Sequence, residues 1–74
     1  VAPSLQLGES RLPDLCRRAG ISQSELAKRL GVTRQFIYKV NKRERNLTLA
    51  QGIHASIILN CDVKDIHVLN WVNR

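Results

Sequence analysis

Arg34, Gln35, Tyr38 and Lys39 crowd hydrogen-bonding side chains into one short stretch of the chain, SQSELAKRLGVTRQFIYKV, which runs from Ser22 to Val40. Arginine carries a rigid fork of donors that matches guanine O6 and N7, and a glutamine amide both accepts from and donates to adenine N6 and N7. On one helix face such side chains can read base edges in a DNA major groove, each good pair discriminating by roughly 1–3 kcal/mol. Arg34 and Gln35 lead as base readers. Lys39 is within reach of a base edge or a phosphate, and Tyr38 of a phosphate or a thymine methyl.

The residues around them specify the helices that this chemistry needs. Ser22 followed by Glu25 is a capping box, in which each side chain satisfies a backbone N–H that the first helical turn leaves open. Leu26, Ala27 and Leu30 form an apolar stripe, and Gly31 can take the positive φ of a helix C-terminus. Val32 and Thr33 restart the chain, Thr33 as the cap of a second helix to about Val40. That helix buries Val32, Ile37 and Val40 and turns Arg34, Gln35, Tyr38 and Lys39 the other way.

The flanking segments read as helices too. Ser10 caps a first helix to Ala19, with Pro13 tolerated in its first turn and Gly20 closing it. Leu12, Leu15, Cys16 and Ala19 share its packing face. A polar, basic loop from Asn41 to Leu47 precedes a fourth helix capped by Thr48 and ending near Leu59 or Asn60. Asp62 caps a fifth, from Val63 to about Asn70. Residues 1–9, with Pro3 and Gly8 and no periodicity, read as a flexible N-terminal arm. The expected fold is therefore all-α, a compact five-helix domain over residues 10–74.

With 74 residues there is room for one small domain and not for a large catalytic cleft. Twelve Lys and Arg against six Asp and Glu give a net charge of +6. Between Lys28 and Arg45 stand Lys28, Arg29, Arg34, Lys39, Lys42, Arg43 and Arg45 against Glu44 alone, and the rest of the chain is close to neutral. Such concentration suits a polyanion whose counterions are released on binding, so affinity should fall steeply with salt. A solvated basic face is the weaker reading, because the charges cluster around one helix.

Other classes find little support. The apolar residues are dispersed, with no leader-like or membrane-spanning run, so a cytoplasmic protein is expected. Cys16 and Cys61 lack the paired spacing of a zinc site and read as reduced, mostly buried thiols. His54 and His67 belong to different predicted helices, and no carboxylate pair, nucleophile with base or phosphate-cradling glycine loop can be assembled. The expectation is no enzyme, no cofactor, no metal and no small-molecule effector. RNA is disfavoured because its deep, narrow major groove does not admit a helix.

The spacing of Gln23, Leu26, Ala27, Gly31, Val32, Thr33, Ile37 and Val40 resembles the helix-turn-helix of the lambdoid phage repressor and Cro family. The similarity continues through Leu49, Ile53, Leu59, Val63 and Ile66 and covers roughly residues 10 to 69. It implies a lambda-repressor-like domain whose helices two and three form the helix-turn-helix. By the same resemblance Gln23 matches the family's phosphate-binding glutamine, and Lys42, Arg43 and Arg45 fall in a loop the family sets against the DNA backbone. Thr33 is above all a cap, with a phosphate contact second. Phe36 either packs between helices or stands near the DNA, where the family has a small or polar residue.

Two positions depart from the pattern. Asn41 and Arg43 replace an acid and a glycine at the end of the recognition helix, so the loop is expected to end differently, with Asn41 left-handed. Gly52 replaces a leucine-like residue, which requires another side chain in that space or a close approach of helices.

Ile57, Val68, Trp71 and Val72 leave an apolar C-terminal segment on a chain with little core to hide it. An exposed apolar patch marks an interface, and the family commonly dimerises through this region. A symmetric homodimer is expected through these four residues, with Trp71 folding back on the fourth helix as the alternative. The function so implied is a sequence-specific regulator that binds a double-stranded DNA operator, a Cro-like phage or bacterial repressor on an inverted repeat. The competing class is an antitoxin or antirepressor whose main partner is a protein.

Overall fold

The computed structural model describes residues 3–73; residues 1, 2 and 74 lie outside the described residues. In chain order the elements are β1 (Pro3–Ser10), α1 (Leu12–Ala19), α2 (Gln23–Leu30), α3 (Arg34–Asn41), α4 (Leu49–Leu59), a 3₁₀ turn (Val63–Asp65) and β2 (His67–Asn73).

The four helices stand where the caps and apolar stripes place them. Ser22 Oγ accepts the Glu25 N–H, Thr33 Oγ1 that of Phe36, and Thr48 Oγ1 that of Gln51. Around Thr48 the box is complete, since Gln51 Oε1 also accepts the Thr48 N–H at 2.9 Å. Around Ser22 only half of the expected box forms. The Glu25 carboxylate turns instead to Arg29 Nε, 3.0 Å away and one turn on, where it gains an ion pair along the helix. Ser10 acts one position earlier than expected, its Oγ accepting the Leu12 N–H at 3.2 Å while Arg11 occupies the cap.

The core lies between the helices. Leu12, Leu15 and Cys16 of α1, Leu26, Ala27 and Leu30 of α2, Ile37 and Val40 of α3, Ala55 and Leu59 of α4, and Ile66 are all buried. Ala19 is exposed instead of joining the α1 packing face.

The all-α, five-helix expectation is overturned. Four α-helices are joined by a two-stranded antiparallel sheet, and the fifth helix is reduced to the single 3₁₀ turn at Val63–Asp65 before the chain runs into β2. In the segment His67 to Asn73 the spacing of Val68, Trp71 and Val72 suits a helix as well as a strand, so spacing alone does not decide between them. The segment's β-branched and aromatic residues favour a pleated ribbon once a partner strand is present. That partner comes from the stretch expected to be a flexible arm: Ser4, Leu5, Gln6 and Leu7 alternate polar and apolar at period two. They pair with Val72, Trp71, Asn70 and Leu69 in turn.

The pairing slips between Leu7↔Leu69 and Ser10↔His67, so that Gly8 and Glu9 together oppose Val68 in a β-bulge. Gly8 relieves crowding there. A Cβ on it would stand 2.7 Å from Asn70 Nδ2 and 3.1 Å from the Val68 carbonyl oxygen. His67 Nδ1 donates to the Gly8 carbonyl at 3.1 Å, and the Arg11 N–H donates to the Ile66 carbonyl at 2.7 Å, fastening the base of the ribbon to α1.

Candidate nucleic-acid interface

The turn between α2 and α3 is built from local necessity. Gly31 ends α2 at φ 78°, a left-handed conformation that only glycine adopts at no steric cost, and the Val32 N–H then closes on the Ala27 carbonyl at 3.0 Å. One residue later Thr33 starts α3, its hydroxyl lone pair spent on the Phe36 N–H at 3.0 Å. The hydroxyl hydrogen of Thr33 remains available to an acceptor outside the protein.

α3 is two-sided, as its pattern requires. Ile37 and Val40 are buried against α2 and the core, while Arg34, Gln35 and Tyr38 are exposed and Lys39 is half-buried. Val32 is half-buried on the same core. Gln35 and Lys39 line one surface hollow of about 310 Å³ with Thr33, Phe36 and Arg45, which brings two of the four candidate base readers beside two candidate phosphate contacts. Phe36 both packs against the core and lines that hollow.

Tyr38 stands apart from that group and pairs with the following loop. The Lys42 ammonium lies over its ring, 4.9 Å from the centroid, in cation–π geometry. Tyr38 raises the Lys42 pKa above the usual lysine value, through side-chain hydrogen bonding first and charge second. Arg43 and Arg45 are exposed in the same loop.

The end of α3 differs from expectation. Asn41 is its last helical residue, and the left-handed residue is Arg43, at φ 63°. Asn41 keeps its helical backbone, and its side chain is held on both sides. It accepts from the Ser10 hydroxyl at 2.7 Å and donates to Gln23 Oε1 at 2.7 Å. Gln23, the first residue of α2, is thus tied to the far end of α3 and to β1. This relay is the part of the site that the sequence pattern did not disclose, and its one visible signal was an asparagine where the family carries an acid.

A helix-turn-helix family model matches residues 14–65, from the middle of α1 through the 3₁₀ turn. The chain belongs to the lambda-repressor-like, Xre-type helix-turn-helix family. No curated protein matches it. As a member of this family it is a DNA-binding transcription regulator, a regulatory class and not an enzymatic one, and its partner is double-stranded DNA. The family match stops before β2, so the ribbon that completes this member lies beyond the shared helices.

The four expected interface residues do not form one patch. Trp71, 68 % exposed, shares a ribbon face with Leu5, Leu7 and Leu69, whereas Val68 and Val72 alternate onto the opposite face. Ile57 is exposed on α4. Leu7 and Leu69 continue into an apolar groove of about 170 Å³, shared with Leu47, Leu49 and Val63. Among the described residues no helix is long and apolar enough to cross a membrane, and no cluster of three or more His, Cys, Asp or Glu could hold a metal ion.

Proposed function

We propose that this regulator is a Cro-like repressor that binds an inverted-repeat operator as a symmetric dimer. The observation that carries the reading is the exposed N-terminal half of α3. Arg34 and Gln35 extend from a helix capped by Thr33 and held by Ile37 and Val40, with basic residues following in the loop. A helix so presented fits the major groove, where its first residues meet base edges while α2 crosses the backbone. Arg34 and Gln35 read bases, with Tyr38 and Lys39 alongside; Gln23, Thr33, Lys42, Arg43 and Arg45 meet phosphates. Repression follows from occupying the operator.

The dimer is supported by the exposed apolar face of the ribbon. Leu5, Leu7 and Trp71 are each 46 % exposed or more, a cost for a monomer in water that self-association removes. The reading requires a twofold axis across this face that sets two α3 helices on successive major-groove half-sites, about 34 Å apart. The Trp71 face is the centre of this contact; Val68 and Val72, on the opposite ribbon face, and Ile57, on α4, enter it only in the reading based on family resemblance.

Selection of bound duplexes from a random DNA pool at near-physiological salt tests the proposal, with an Arg34→Ala, Gln35→Ala variant in parallel. Recovery of an inverted repeat by the unmutated chain alone supports a dimeric operator reader. Weak, salt-sensitive and sequence-blind binding by both favours a protein-binding antitoxin or antirepressor.

A further inference from the structure

Gln23 offers DNA only one end of its amide. Its Oε1 is occupied by Asn41 Nδ2 at 2.7 Å, and among the described residues no acceptor takes a hydrogen from its Nε2, which is not buried. A run of hydrogen bonds stands behind that arrangement. The Leu12 backbone N–H can only donate, and Ser10 Oγ receives it at 3.2 Å. The Ser10 hydroxyl gives its own hydrogen to Asn41 Oδ1 at 2.7 Å. The nitrogen of that amide faces Gln23 and donates to its Oε1. Each bond in the run donates toward Gln23, and the Asn41 amide so oriented leaves Gln23 Oε1 as its acceptor.

The consequence reaches the ligand. Phosphate oxygens only accept hydrogen bonds, so an untethered glutamine presents the wrong end to them in half of its orientations, whereas the tethered one presents Nε2. We infer that Asn41 and Ser10 are positioning residues for DNA: they lock the Gln23 amide with its NH₂ turned to a backbone phosphate. This inference rests on the proposed reading in which Gln23 meets a phosphate. It also gives the β1 ribbon a part in the interface, since Ser10 closes β1 and its bond reaches the α2–α3 unit through Asn41.

A double-mutant cycle tests it on the selected duplex, repeated on duplexes carrying a single neutral methylphosphonate at each backbone position in turn. Loss of a hydrogen bond to a charged group predicts that Gln23→Ala weakens binding about tenfold. Asn41→Leu should weaken it several-fold alone and not at all in the Gln23→Ala background. At the one methylphosphonate position where Gln23→Ala loses its effect, Asn41→Leu should lose its effect too. Additive losses, or an Asn41→Leu loss that persists at every methylphosphonate, would show that Asn41 only supports the fold and would overturn the inference. Thermal melting accompanies each variant. If Asn41→Leu does not fold, Ser10→Ala takes its place in the cycle, with the same two outcomes. If the unmutated chain selects no duplex, the DNA reading itself fails and takes the inference with it; selection followed by an additive cycle overturns the inference alone.

Discussion

The Cγ2 of Val63 stands 3.4 Å from the position a Cβ would take on Gly52, so the side chain of the 3₁₀ turn fills the space that a leucine occupies in the family pattern. Gly52 lies inside α4, where its backbone freedom costs roughly 0.5–1 kcal/mol relative to alanine. The spacing leaves room for a methyl group in ordinary van der Waals contact with Val63. Gly52→Ala should therefore raise stability by about 0.5–1 kcal/mol, read as a higher urea midpoint. Gly52→Leu should lower it by about 1–3 kcal/mol through collision with Val63. Equal effects of the two substitutions would contradict this packing.

Arg43 holds a left-handed backbone conformation that costs a non-glycine residue roughly 1–2 kcal/mol. Arg43→Gly should relieve most of that cost and raise the unfolding midpoint. The same substitution removes a cation proposed to meet a phosphate. The slope of log affinity against log salt should become shallower by about 0.9, the change expected when one fewer phosphate is neutralised. Higher stability with an unchanged salt slope would remove Arg43 from the interface.

The helix-turn-helix was legible because each of its signals is local. Ser22, Gly31 and Thr33 specify their caps and turn within four residues, and Leu26, Ala27, Ile37 and Val40 repeat at helical spacing. The ribbon was not legible because its evidence is split between the two ends of the chain. Ser4 to Leu7 means little until Leu69 to Val72 stands beside it, and Asp62 followed by Val63 and Ile66 imitates a helix start. The Ser10–Asn41–Gln23 relay was hidden for the same reason, since it joins three elements far apart in sequence. Asn41 showed as a departure from the family pattern, and its explanation was a side-chain bond in place of the left-handed backbone expected of it.

Trp71 is the only tryptophan of the chain and reports directly on the ribbon face. As protein concentration rises its emission should shift to the blue, as water leaves the indole at a dimer contact. Trp71→Ala should sediment as a monomer, bind an inverted repeat more weakly and leave binding to a single half-site unchanged. A Trp71→Ala protein that remains dimeric would move the interface elsewhere.

Burial pushes the Cys16 thiol above its ordinary value, and burial followed by the charges of Asp65 and Asp62 does the same to Cys61. The folded chain holds these protons more tightly than the unfolded one. Their contribution to stability is whole below the ordinary thiol value of about 8.5 and is lost as pH rises through the raised folded values. The urea midpoint should fall with pH above that point, and less steeply for Cys16→Ala. Alkylation of the native protein at neutral pH should be slow at both sites and slower at buried Cys16 than at half-buried Cys61.

The central claim is that the exposed face of α3 reads base edges, and anisotropy titrations of the selected duplex against a scrambled one of equal composition test it most directly. The unmutated chain should prefer the selected duplex by about a thousandfold or more at physiological salt. Arg34→Ala should narrow that preference by roughly tenfold to a hundredfold while leaving affinity for the scrambled duplex little changed. Equal affinity of the unmutated chain for both duplexes, or an Arg34→Ala loss of the same size on each, would contradict the account.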